Sequence, residues 1–125
     1  MTSRSLQDCR ILVVEDEYML AEDLARELED AGATVIGPAP TVDQGFALLV
    51  DPDHLDGAIL DVNLRGVPVF PLADAVLAKN IPLVFTTGYD ESAMPERFSN
   101  VVRCEKPINM RRIANAIGKV IHPAE

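Results

Sequence analysis

The chain of 125 residues has no tryptophan, only 5% aromatic residues and only two cysteines, Cys9 and Cys104. Neither cysteine stands in a CxxC pair. Two thiols make a poor disulfide framework, and they read as reduced thiols of an intracellular protein. Long apolar runs are also missing. Nothing approaches the ~20 consecutive apolar residues that span a bilayer, and MTSRSLQDCR lacks the apolar core of a signal peptide. The expected location is the cytoplasm. Basic excess is absent too: the net charge of -9 argues against gripping nucleic acid or an anionic membrane, both of which want the opposite sign. With 48% hydrophobic and 25% charged residues, what remains is the composition of a globular protein with one core. One domain over 1–125 is expected, with its core at about 10–121.

Five short apolar runs alternate with amphipathic stretches. Arg10–Val14, Ala33–Gly37, Gly57–Asp61, Ile81–Thr87 and Val101–Cys104 read as buried strands, the second ended by Pro38 and Pro40. Between them, Leu20, Leu24 and Leu28 mark a helix over Glu17–Ala31, stopped by Gly32. Val42–Val50 follows a Thr41 N-cap, Phe70–Lys79 is a third helix, and Glu91–Phe98 a short fourth limited by Pro95. Met110, Ile113, Ala114, Ile117 and Ile121 carry the last. The order (βα)5 predicts an α/β fold: one doubly wound, flavodoxin-like domain with a five-stranded parallel sheet and helices on both faces. Ligands of such folds bind at the carboxyl ends of the strands.

Those ends carry Glu15-Asp16-Glu17, Asp61, Thr86-Thr87-Gly88 and Glu105-Lys106-Pro107. Each has a plain reading. Acids suit the positive end of a following helix, Asp61 suits a turn, Thr86-Thr87 suits a strand, and Lys106 suits solvent. Together they converge on one edge. Two carboxylates about 4 Å apart repel by roughly 4 kcal/mol at an effective dielectric near 20, so they stay ionised only with a cation. Oxygen ligands suit Mg²⁺, with Glu15 or Asp16, Asp61 and the main-chain carbonyl of Asn63 as candidate ligands. Asp61 is then a candidate nucleophile toward a phosphoryl group, Lys106 a point charge and Thr87 a hydrogen-bond donor.

Val14-Glu-Asp-Glu17, Leu60-Asp-Val-Asn-Leu64, Phe85-Thr-Thr-Gly88 and Cys104-Glu-Lys-Pro107 resemble the receiver (REC) domain of bacterial two-component response regulators. The likeness runs from Arg10 to Ile121. Asp16 lies 45 residues before Asp61, Thr87 lies 26 after it and Lys106 45 after it. The resemblance implies Asp61 as phospho-acceptor, served by a histidine kinase or histidine phosphotransferase. It implies Glu15, Asp16, Asp61 and Asn63 around Mg²⁺, and Thr87 and Lys106 contacting the phosphoryl group, with Lys106-Pro107 cis in many receivers. No enzyme turning over a separate substrate is implied, and the output is contact with a protein partner, through the loop after the fourth strand and the neighbouring helix–strand–helix face. A pseudo-receiver without phosphotransfer and a phosphate sink are the alternatives; a phosphohydrolase would want an acid where Asn63 stands.

Three positions depart from the pattern. Arg103 replaces the aromatic switch three residues before the lysine, Gly88 the alanine after the switch hydroxyl, and Arg65 a common proline. Pro82–Tyr89 resembles the signature of the "FAT GUY" single-domain receivers, which also lack the aromatic switch; Thr86 stands where their alanine would be. Tyr89 is the candidate surface reporter.

Overall fold

The computed structural model describes residues 6–50, 55–88 and 94–123. Five parallel strands form the sheet: β1 (Arg10–Val14), β2 (Thr34–Ala39), β3 (Gly57–Asp61), β6 (Leu83–Thr87) and β7 (Val102–Glu105), in the order β2-β1-β3-β6-β7. That order reverses beside β1, which is the flavodoxin-like switch point. Successive side chains leave a strand on opposite faces, so each strand feeds two cores. Leu12, Val14, Leu60 and Phe85 pack with Leu72, Val76 and Phe98 on one side. Ile11, Val13, Ile59 and Val84 pack on the other with Leu24, Leu28, Ile113 and Ile117. The helices that cover them are α2 (Val42–Leu48) and α3 (Phe70–Ala78) on the first face, α1 (Tyr18–Asp30) and α4 (Met110–Ile121) on the second.

The expected caps are present. Thr41 accepts a hydrogen bond from the Gln44 N–H at 3.1 Å, and Gly32 follows α1 with φ +103°, a left-handed value that favours glycine. Among the described residues, no helix is long and apolar enough to cross a membrane.

Three details differ from the sequence reading. β2 continues through Pro38 to Ala39 instead of ending at Gly37. It is an edge strand, where a proline without an N–H breaks no ladder on its open side, and its pairing with β1 is irregular between Leu12 and Val14. The described residues hold four α-helices rather than five. Of the expected Glu91–Phe98 helix, residues 91–93 lie outside the described residues, and Glu96–Phe98 after Pro95 makes one 3-10 turn. Tyr89 also lies outside them.

Finally, a small antiparallel hairpin follows β3, made of β4 (Asn63–Leu64) and β5 (Val67–Pro68). Its turn residues Arg65 and Gly66 have φ +54° and +87°, the pair of positive values that a type I′ two-residue hairpin turn requires. A left-handed conformation costs a residue other than glycine about 1–2 kcal/mol.

Candidate phosphoryl-acceptor site

Three strand exits supply the site. β1 runs through Val14 into Glu15, Asp16 and Glu17, β3 ends on Asp61, and β7 hands over to Lys106. Parallel pairing of β1 with β3 and of β3 with β6 sets Leu60 beside Val14 and Asp61 beside Thr86. Glu15, Asp61, Thr86 and Thr87 are all buried. The edge of an otherwise apolar sheet is therefore crowded with polar groups.

Lys106 is the hub. Its Nζ donates to Asp61 Oδ2 at 2.8 Å and to Glu17 Oε1 at 3.1 Å, and lies 3.7 Å from Glu15 Oε1. Burial alone would lower its ammonium, but the bonds to Asp61 and Glu17 and the charges of Asp61 and Glu15 outweigh this and raise it. Lys106 is followed by a cis bond to Pro107, and its backbone N–H donates to the Thr87 carbonyl at 2.8 Å. Burial pushes the Glu15 carboxyl up to about 8. The Glu17 N–H on Oε2, 3.0 Å away, opposes that shift, nearby Asp61 reinforces it, and Lys106 opposes it again. Three acids around one ammonium leave this part of the pocket short of positive charge.

Asp61 Oδ1 accepts the Asn63 N–H at 3.1 Å, and Asn63 Oδ1 accepts the Gly66 N–H at 2.6 Å. Asn63 thus fastens the β4–β5 hairpin to Asp61 through its backbone and closes the turn with its side chain. The last acid, Asp16, faces Arg65, with Nε 3.6 Å from Oδ2.

One carboxylate oxygen each from Glu15, Asp16 and Asp61 lie within 4.8 Å of one another. Hard carboxylate oxygens suit Mg²⁺, whose opposite octahedral ligands lie about 4 Å apart, so the donor set fits that ion and the trio is close to the spacing it takes. The structure therefore gathers Glu15, Asp16, Asp61, Asn63 and Lys106 at one point, with Thr87 buried at the end of the adjoining strand. Two participants were assigned no role at the site from the sequence, Glu17 and Arg65. The run of three acids at a strand exit pointed to the first; the second depends on a hairpin that no strong turn signal announces.

Thr87 follows Phe85 on the strand by two residues and shares its side of the sheet. Phe85 meets Phe98 edge-on at 5.4 Å and Phe70 at 6.3 Å, and Phe70 stacks on Phe98 at 5.3 Å. Arg97, over the Phe98 ring, makes two hydrogen bonds of 3.0 Å to Asp74 of α3. Arg103 is exposed on β7.

No family model and no curated protein matches the chain. Among solved structures it is similar to SdrG from Sphingomonas melonis Fr1, with 38% identity and a TM-score of 0.77 over 90% of this chain and 96% of that one. It is similar also to the BeF3-activated conformation of SdrG from Pseudomonas melonis Fr1, with 36% identity and a TM-score of 0.73 over 97% and 99% of the two chains. The non-phosphorylated HemR receiver domain of Leptospira biflexa shares 27% identity, with a TM-score of 0.78 over 91% and 94%. With this fold, and an identity of 38% spanning nearly all of both chains, the chain belongs to the response regulator receiver domains of two-component signalling.

Proposed function

We propose that Asp61 accepts a phosphoryl group from a histidine kinase or histidine phosphotransferase in the cytoplasm, and that the aspartyl phosphate changes the binding of a protein partner. The observation that carries this reading is the Lys106 ammonium 2.8 Å from Asp61, inside a trio of carboxylates spaced for a divalent cation. An Asp61 oxygen attacks the phosphorus of the donor's phosphohistidine; the P–N bond breaks and its electron pair returns to the imidazole, which takes up a proton. Glu15, Asp16, Asp61 and the Asn63 carbonyl would hold Mg²⁺, which would supply charge neutralisation for the transferred oxygens. Lys106 neutralises a further share of that charge, and the Thr87 hydroxyl donates to a phosphoryl oxygen. Asn63 offers no carboxyl to activate water, which fits a phosphate that persists and a chain with no separate substrate.

Phosphorylation takes Asp61 from one negative charge to a group carrying about -1.5 to -2, with more acceptor oxygens. Charge-assisted hydrogen bonds contribute roughly 1.5–3 kcal/mol each, so two or three approach the ~5.5 kcal/mol that moves an equilibrium from 1:99 to 99:1. The contacts of Phe85 with Phe98 and Phe70 offer a route from Thr87 to the Glu96–Phe98 turn, in a chain where Arg103 replaces the aromatic switch. A BeF3-activated form of similar SdrG supports the reading, since BeF3⁻ has the shape and charge of a phosphoryl group.

Acetyl phosphate tests it directly. With Mg²⁺, intact-protein mass spectrometry should show one added phosphoryl group, lost with EDTA and in Asp61→Asn. A chain that binds Mg²⁺ yet takes up no phosphoryl group at Asp61 would be a pseudo-receiver.

A further inference from the structure

The site's two cations divide its acids between them. Lys106 reaches Asp61, Glu17 and Glu15, whereas Asp16 pairs with Arg65. Asp16 is itself one of the three carboxylates spaced for a metal, so Arg65 stands against a ligand a divalent cation would need. Its backbone conformation is unusual for the work of a surface side chain. Arg65 has φ +54°, a value that glycine or asparagine adopts far more readily, yet an arginine is placed there. The turn is held so by the Gly66 N–H on Asn63 Oδ1, and Asn63 is bonded in turn to Asp61. Displacing the guanidinium asks little of the rest of the molecule: the Arg65 side chain is 83% exposed, and the hairpin strands are two residues each, with Val67 and Pro68 exposed.

We propose that Arg65 is a latch on the acid trio: its guanidinium holds Asp16 when no metal is bound and is displaced when a divalent cation takes Asp16, so it sets the threshold of Mg²⁺ at which the site becomes competent. The proposal rests on the reading of Glu15, Asp16 and Asp61 as a Mg²⁺ site. Arg65 is a positioning residue here, acting through Asp16 and through the hairpin it belongs to. Metal occupancy is thereby coupled to the β4–β5 turn, because the same residue belongs to both.

Titration of the unphosphorylated protein with MgCl₂, followed by the backbone amide signals of NMR, tests this without any phosphodonor. The informative variant is Arg65→Asn, which removes the charge but tolerates the left-handed turn. It should bind Mg²⁺ about two- to fivefold more tightly than the parent at low ionic strength, the size expected for releasing an exposed ion pair. The gain should shrink as salt screens the pair. Arg65→Lys should stay near the parent, and so should Arg103→Ala, which removes an equal charge from exposed β7. The Gly66 amide should shift with Mg²⁺ in the parent and less in Arg65→Asn. Equal or weaker Mg²⁺ binding by Arg65→Asn, or a matching gain in Arg103→Ala, overturns the latch while leaving the metal site standing. If the parent shows no Mg²⁺ binding that Asp16→Asn abolishes, the metal reading falls and the latch falls with it.

Discussion

Within β3, Ala58, Ile59 and Leu60 are almost wholly dry and lie among the two apolar cores. One residue further on, Asp61 is just as buried, but its neighbours are an ammonium and two more acids. Burial is the same on both sides of that peptide bond; what differs is how it is offset. In the interior it is favourable by itself, because removing Leu, Ile or Phe side chains from water contributes roughly 1.5–3 kcal/mol each. At the edge it is unfavourable by itself, and only pairing, hydrogen bonds and an added cation make it tolerable. The interior gives stability and fixes where the edge residues stand; the edge spends some of that stability to hold a reactive carboxylate.

The largest effect should come from breaking the interior side. Phe85 is fully buried and touches two other rings, so Phe85→Ala should cost about 3–5 kcal/mol, the range for large-to-small aromatic substitutions in cores. Urea unfolding measures it. A loss below ~1 kcal/mol would mean that Phe70, Phe98 and Phe85 do not form one packed unit. Mg²⁺ should recover little of the loss, because no ligand of the acid trio is altered.

An intermediate effect belongs to the edge. Lys106→Met keeps the aliphatic stem and removes the ammonium that Asp61, Glu17 and Glu15 share. Stripping one partner from a fully buried ion pair costs about 3–5 kcal/mol. Lys106 keeps 25% of its side-chain exposure, so about 1–3 kcal/mol is expected in EDTA. Here Mg²⁺ should restore much of the loss, and its stabilisation of Lys106→Met should exceed that of the parent by thermal melting. Equal responses to Mg²⁺ in both proteins would show that the cation does not share charge with Lys106.

The interior was the readable half in the sequence. Apolar runs of four or five residues and leucines every fourth position declare strands and helices through periodicity alone, and five strands recur within a residue or two of where they were expected. Where the reading slipped, the cause was tertiary. Pro38 looks like a strand terminator until β2 is known to be an edge. At Glu96–Phe98 the described part of the expected short helix is a single 3-10 turn, whose Phe98 packs into the core against Phe70 and Phe85. The edge was readable for a different reason. Glu15, Asp16, Asp61 and Lys106 are each ordinary where a strand ends, but they stand at several strand exits at once, and parallel topology brings those exits to one edge. The β4–β5 hairpin was not readable, since Arg65-Gly66 lacks the Asn-Gly or Asp-Gly signature of a two-residue turn. The Arg65–Asp16 contact, which depends on that turn, was hidden with it.

A smaller effect should come from a residue that joins the two regions. Thr86 pairs with Asp61 across the sheet and is 1% exposed. Among the described residues its Oγ1 is the buried side-chain oxygen or nitrogen without a hydrogen-bond partner. An unsatisfied buried polar group costs about 1–3 kcal/mol, so Thr86→Val, of the same shape, should stabilise the fold by about 1 kcal/mol in urea. A loss instead would mean that the hydroxyl finds a partner, such as a bound water, and belongs with the edge rather than the core.

The smallest effect isolates burial from everything the edge adds to it. Cys9 and Cys104 lie in the core beneath α1 and α4, and burial raises both thiols above their ordinary value. Asp56 and Asp8 add to the shift at Cys9, and Arg112 opposes it at Cys104. Glu15 is raised by burial too, but Lys106 and the Glu17 N–H work against that shift. The sign for the thiols follows from linkage. Below about pH 8.5, both folded and unfolded chains keep them protonated, and they add no pH dependence. Above it the unfolded chain loses those protons first, so their contribution to stability falls as pH rises toward the folded values. Iodoacetamide is the sensitive probe, because it reacts with the thiolate. At pH 8 both cysteines should alkylate at least about tenfold more slowly in the folded protein than in urea, and in the folded protein their rates should keep rising with pH beyond the ordinary thiol range, where those in urea level off. If either thiol reacts in the folded protein as fast as in urea, its surroundings are not dry, and that part of the interior is built more like the edge than like the rest of the core.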